Sequence, residues 1–196
     1  MRGSFIVIEG PDGAGTTLHA RLLAERLRAG GREVLVTAEP TDGPVGALIR
    51  SCLKGSAHLP SSALQLLFTA DRAWHIDHVI LPALESGTIV ISDRYAASTI
   101  AYGVALGLEE GWLKNLNKNF LQPDVQVFTL PPLSVCMERL SRRENTDILE
   151  ERNLQEKIHG AYRTLASDDP SIAVIDTSGE KQYAANEIWS IVSAKL

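Results

Sequence analysis

Residues 5–17 read Phe5-Ile6-Val7-Ile8-Glu9-Gly10-Pro11-Asp12-Gly13-Ala14-Gly15-Thr16-Thr17, an apolar, mostly β-branched run that passes into a glycine-rich turn and then a helical pattern. Strand, glycine loop and helix in this order are the context of a phosphate-binding loop. Its glycines let the backbone approach a nucleotide, and the N–H groups at the helix start face the phosphates. The full pattern, G-x-x-x-x-G-K-[ST], adds a lysine for the β- and γ-phosphates and a hydroxyl for magnesium. Gly10 and Gly15 hold the glycine positions and Thr17 supplies the hydroxyl, but Thr16 stands where the lysine belongs. Without that cation, a purely structural strand-to-helix turn is the competing reading, and the rest of the chain must decide.

Further short apolar runs at Val34–Val36, Thr88–Ile91, Val125–Leu130 and Ile172–Ile175 have the character of strands covered on both faces. Helical spacing separates them. Thr17–Ala29 carries Leu18, Leu22, Leu23 and Leu27 and stops at Gly30-Gly31; Pro60–Ser86 predicts a long helix bent near Pro82; Ser134–Arg142, Leu149–Leu165 and Gln182–Lys195 follow. Strands alternating with helices predict an α/β fold, a parallel sheet flanked by helices on both sides. With 196 residues, 44% of them hydrophobic, one core and one domain spanning 1–196 are expected.

A net charge of −5 argues against a broad phosphate-backbone surface, so nucleic acid is not an expected partner. Cys52 and Cys136 lie far apart without metal-like spacing, which reads as two reduced, buried thiols and fits the cytoplasm. No eighteen consecutive apolar residues occur and the start is too short for a signal segment, so no membrane association is expected.

A second stretch, Ile89-Val90-Ile91-Ser92-Asp93-Arg94-Tyr95-Ala96-Ala97-Ser98-Thr99-Ile100-Ala101-Tyr102, ends a buried strand in an acid and an arginine. That delivers both to the carboxyl edge of the sheet, where open α/β folds bind ligands. There a carboxylate can hold magnesium or its water, and a guanidinium can grip a phosphate with two parallel hydrogen bonds. A surface ion pair at the start of a loop is the alternative for this segment by itself.

Taken with Glu39-Pro40, Phe68-Thr69-Ala70-Asp71-Arg72, Pro123-Asp124-Val125, Pro131-Pro132 and Met137-Glu138-Arg139-Leu140, the two stretches resemble the thymidylate kinases along essentially the whole chain. The resemblance implies a five-stranded parallel sheet of the P-loop kinase type with a short lid around 139–150. It also implies transfer of the γ-phosphoryl of ATP to dTMP with Mg2+, and a homodimer formed through helices around 60–86 and 95–105. Matching positions carry implied roles. Gly10, Pro11, Asp12, Gly13, Ala14, Gly15, Thr16 and Thr17 form the ATP phosphate cradle, with Thr17 and Asp93 toward the metal. Asp12 faces the acceptor, and Arg94 clamps the dTMP phosphate. Phe68 stacks on thymine while Arg72 donates to one of its carbonyls; Ser98 and Thr99 lie along the base edge; Tyr102 crowds the ribose 2′ position; Glu39 sits at a turn near the acceptor.

Three departures from the family pattern each remove positive charge: Thr16 for the lysine, Ala38 for an arginine before Glu39-Pro40, and Asp147-Ile148 for Asp-Arg in the lid. Gly103 in place of glutamine and Thr129 in place of aspartate are milder. Arg139 and Arg143 match family arginines and are the expected catalytic replacements for the lysine, with Arg142 beside them and His19 a weaker candidate. The expected activity is dTMP phosphorylation. A catalytically impaired nucleotide-binding protein of the same fold, or a kinase of another nucleotide acceptor, is the alternative.

Overall fold

The computed structural model describes residues 2–142, 149 and 151–196. Five parallel strands, β1 (Phe5–Glu9), β2 (Val34–Ala38), β3 (Ile89–Asp93), β4 (Val125–Thr129) and β5 (Ala173–Ile175), line up in the order β2-β3-β1-β4-β5. β1 lies at the centre because all five of its residues are buried, a run without alternation that only a strand covered on both faces tolerates. Its register sets the site. Ile8 pairs with Asp93 on one side and with Val127 on the other, so the loops after β1, β3 and β4 emerge together at one sheet edge. The strand order reverses direction there, which is where doubly wound sheets open a crevice.

Nine α-helices are described: α1 (Thr16–Ala29), α2 (Pro44–Leu53), α3 (Ser61–His75), α4 (Leu81–Glu85), α5 (Ala96–Ala105), α6 (Glu110–Asn117), α7 (Leu133–Ser141), α8 (Arg152–Asp168) and α9 (Lys181–Ser193). One core layer joins α1 and α9 to the sheet through Leu23, Leu27, Ile188 and Val192. Others pack α5 and α8 at Tyr102 and Tyr162, and the α3–α4 region at Ile76, Ile80 and Leu84.

Several expectations need correcting. On α1 the buried stripe is Thr16, His19, Ala20, Leu23, Ala24 and Leu27, whereas Leu18 is 43% exposed. Leu18 stands about 140° around the helix from Leu23, at 100° per residue, so the two cannot share a face. The 60–86 helix runs on to Glu85 but widens into a π-helical turn at Ile76–Ile80, just before Pro82, whose ring cannot donate an N–H to the preceding turn. Helices α2 and α6 were not expected. α2 begins at Gly43-Pro44, a legible N1 proline; α6 is capped by Glu109, whose carboxylate accepts from Gly111 N (2.7 Å) and Trp112 N (2.5 Å). The expected lid positions Arg143, Asp147 and Ile148 lie outside the described residues.

Candidate active site

The glycine loop is shaped by its backbone. Gly13 and Gly15 have φ of 79° and 88°, and a Cβ on Gly13 would stand 2.5 Å from the carbonyl oxygen of Cys136. Only glycine fits that position. No side chain caps the first turn of α1, so the helix geometry leaves its N–H groups without intrahelical partners at the place where phosphates would lie. From behind, two side chains hold the loop's carbonyls: Thr177 Oγ1 donates to Ala14 O (2.7 Å) and Arg139 to Gly13 O (3.0 Å) and Thr177 O (2.6 Å). Arg139 thus braces the loop from α7. Burial, with Arg139 nearby, lowers the pKa of the His19 imidazole, which disfavours it as the replacement cation.

Beside the loop, Asp12 collects three donors: Arg94 (2.6 Å), the Tyr102 hydroxyl (2.7 Å) and Gln155 (2.9 Å). Arg94 also donates to Gly10 O (2.7 Å), and its guanidinium stacks over the Tyr102 ring at 5.3 Å. Its φ of 71° makes it the one described non-glycine residue with positive φ, the kind of backbone outlier that clusters at functional sites. Thr17 Oγ1 donates to Asp93 Oδ2, while Asp93 Oδ1 is buried with no partner among the described residues. An alcohol and a free carboxylate oxygen, both hard donors, suit magnesium.

A cavity adjoining Asp12 and Arg94 is lined by Phe68 and Arg72 of α3, Thr99 and Tyr102 of α5, and Pro40. Arg72 is buried and held from three sides, by Glu39 (2.7 Å), Thr99 (2.9 Å) and the Asn117 carbonyl, with its guanidinium 4.9 Å from the centre of the Tyr95 ring. Its Nε has no partner among the described residues. Glu39 also meets His75 at 3.0 Å, and the Glu39-Pro40 bond is cis. Phe68, half-buried, lies between these groups and the α2 side.

The family model described as thymidylate kinase matches residues 8–188. The chain is 39% identical over 98% of its length to a probable thymidylate kinase of Thermococcus kodakarensis, and covers 98% of it. Against a probable thymidylate kinase of Pyrococcus horikoshii it is 37% identical over all of this chain and 98% of that one. Against a thymidylate kinase of Thermomicrobium roseum the identity is 39%, over 96% and 94% of the two chains. The chain belongs to the thymidylate kinase family.

Within this thymidylate kinase fold Ser98 and Thr99 both line the cavity; the Ser98 hydroxyl donates to Glu9 (2.5 Å) and meets the Tyr162 hydroxyl (2.8 Å), while Thr99 accepts from Arg72. Both position other side chains. Gly103, a family departure, has a packing reason, because a Cβ there would stand 2.6 Å from Leu113 of α6. Thr129 donates to Glu9 O (3.2 Å) and ties the ends of β1 and β4 together. At the Ala38 departure, Arg21 of α1 lines the same recess as Thr17, Asp93 and Ala38.

Sequence reasoning missed Glu9, Gln155 and Tyr162. Glu9 is fully buried and accepts from Tyr95 N (2.8 Å), Ser98 and Tyr162 OH (3.0 Å). An acid ending a β-strand of buried apolar residues was the available signal. Burial raises the Glu9 pKa above its ordinary 4.5, against the downward pull of Ser98, Arg94 and Tyr162. A carboxyl raised in the fold contributes stability that is fully present below its unfolded pKa and is lost as pH rises through the folded one. Glu9→Gln is therefore expected to gain melting temperature relative to wild type as pH climbs above 4.5. A gap independent of pH would show that Glu9 carries no such strain.

Proposed function

We infer that this protein transfers the γ-phosphoryl group of ATP to the 5′-phosphate of dTMP. The observation that carries the reading is the Asp12–Arg94 pair, which joins the glycine loop to the Phe68–Arg72 cavity and so puts a donor cradle and an acceptor cradle side by side. Backbone N–H groups of Gly13 to Thr17 hold the ATP phosphates, and Arg94 holds the acceptor phosphate in line with them. An acceptor phosphate oxygen forms the new bond to the γ-phosphorus as the bond from that phosphorus to the β,γ-bridging oxygen breaks, and ADP leaves. Positioning and charge neutralisation are the protein's main contribution to such a transfer. Thr17 and Asp93 hold Mg2+, which, when bound, neutralises charge on the phosphates.

In the cavity, Phe68 stacks on the base and the free Nε–H of Arg72 donates to a thymine carbonyl, an edge where cytosine presents an amino group instead. The expected site residues Glu39 and Tyr102 act here as the anchor of Arg72 and as a wall toward the ribose. A lid around 139–150, a homodimer through the 60–86 and 95–105 faces, and work in the cytoplasm complete the reading; exposed Leu66 on α3 supports the dimer face. No helix among the described residues is long and apolar enough to cross a membrane.

The test is an acceptor panel of dTMP, dUMP, dCMP and AMP with Mg-ATP, reading ADP and the product nucleotide. dTDP is the expected main product; tight dTMP binding without turnover supports an impaired binder instead. Arg72→Lys keeps a cation beside Glu39 but removes the Nε–H. It is expected to narrow the dTMP-to-dCMP ratio of kcat/KM by about tenfold, the scale of one hydrogen bond to a charged group. An unchanged ratio would make Arg72 structural.

A further inference from the structure

At the base of the acceptor cavity one further side chain is unaccounted for. Gln65 is fully buried, lines that cavity, and neither its amide nitrogen nor its amide oxygen has a partner among the described residues. Buried polar groups are nearly always paired, so two orphaned atoms on one side chain call for a partner supplied from outside the chain. Gln65, Phe68 and Arg72 stand at i, i+3 and i+7 on α3, one face of the helix, with the aromatic ring between the two polar residues. A base stacked on Phe68 is thereby bracketed by the unpartnered Nε–H of Arg72 at one end and by the Gln65 carboxamide at the other.

We propose that Gln65 reads the base of the acceptor: its oxygen accepts the N3–H of a pyrimidine imide and its NH2 group donates to the adjoining carbonyl. The inference rests on the acceptor cavity assigned above. With Arg72 at the carbonyl that cytosine replaces by an amino group, the edge left to Gln65 is N3 and the 2-carbonyl; cytosine presents two acceptors there, which neither orientation of a carboxamide can satisfy. Arg72 fixes this register. Its guanidinium is fixed by Glu39, Thr99 and Asn117 and can only donate, so the base must offer a carbonyl there and Gln65 is left to meet an imide. The two residues together select thymine and uracil over cytosine, a discrimination by unpaired polar groups, which is stronger than a pocket of matching shape achieves.

The variants are Gln65→Leu and Gln65→Met, both close in volume and unable to form these hydrogen bonds. Three measurements are made on each: kcat/KM for dTMP, dUMP and dCMP; the Kd of dTMP by calorimetry; and the melting temperature without nucleotide. Losing two hydrogen bonds is expected to lower kcat/KM for dTMP and dUMP by about ten- to a hundredfold, at tenfold per 1.4 kcal/mol, with dCMP affected less. The dTMP-to-dUMP ratio stays put, since those bases share the imide edge and differ in a methyl group. The melting temperature holds or rises, because removing an unpaired buried amide removes its desolvation cost.

Unchanged discrimination between dTMP and dCMP overturns the proposal, and so does an equal loss for all three acceptors together with a fall in melting temperature, which marks a structural residue. Should the wild-type protein fail to phosphorylate dTMP, the functional assignment falls and calorimetry still decides for Gln65. Weaker dTMP binding in both variants upholds it, and unchanged or absent dTMP binding overturns it.

Discussion

Arg94→Ala is expected to lower kcat/KM for dTMP by about three orders of magnitude, the scale at which removal of a fixed charge from a phosphoryl-transfer site is felt. The guanidinium is 19% exposed, anchored to Asp12 and Gly10 O, and carried at the end of β3 where Arg94 N donates to Ile8 O (2.9 Å). On the proposed function, its attachment to the loop would fix where an acceptor phosphate sits. The fold should survive the change, because Asp12 retains Tyr102 and Gln155 as donors. A second substitution separates chemistry from backbone strain. With φ at 71°, glycine suits this position better than alanine, so Arg94→Gly should melt higher than Arg94→Ala while remaining as inactive. Wild-type turnover in either variant would remove Arg94 from the mechanism.

The second large effect concerns the missing lysine. If arginines around the loop already neutralise the transferring group, Arg139→Ala is expected to lower kcat by about a hundred- to a thousandfold. Thr16→Lys should then change kcat by no more than about threefold, because the added charge is redundant. Arg139 reaches the loop through Gly13 O and Thr177 O, so its removal takes away both a nearby positive charge and a brace of the cradle, while burial lowers the pKa of His19 and disfavours it as the cation. Arg143→Ala, at a position outside the described residues, is the companion variant and should behave as Arg139→Ala does. The reverse pattern, a large gain from lysine and indifference to both arginine changes, would falsify the compensated loop and identify an impaired enzyme. Both kcat and KM must be measured at saturating dTMP, since a lysine that binds ATP equally in ground and transition states moves KM alone.

How far these features were legible in the sequence follows from the range of the interactions involved. The sheet was legible because β1 and β3 carry consecutive β-branched apolar residues without alternation, a local signal for burial on both faces. Asp12, Thr17, Asp93 and Arg94 were legible because each sits within a few positions of a strand end or glycine turn. Helix α6 was not, since its cap is Glu109, outside the residues that usually mark a helix start. Gln155 and Tyr162 could not be found locally. They reach Asp12 and Glu9 from 143 and 153 positions away, and nothing in their own segment says that they face the sheet edge. Leu18 shows the opposite failure, a residue of the right type whose angle around the helix, rather than its hydrophobicity, decides burial.

Glu9 and Asp12 stand three residues apart, and α8 touches both, Tyr162 at the first and Gln155 at the second. Helix α8 is also the element that follows the 139–150 segment. Asp12 is therefore shared between two distant parts of the chain: Arg94 holds one carboxylate oxygen and Gln155 of α8 the other, so the charge that orients the arginine also fastens α8 to the glycine loop.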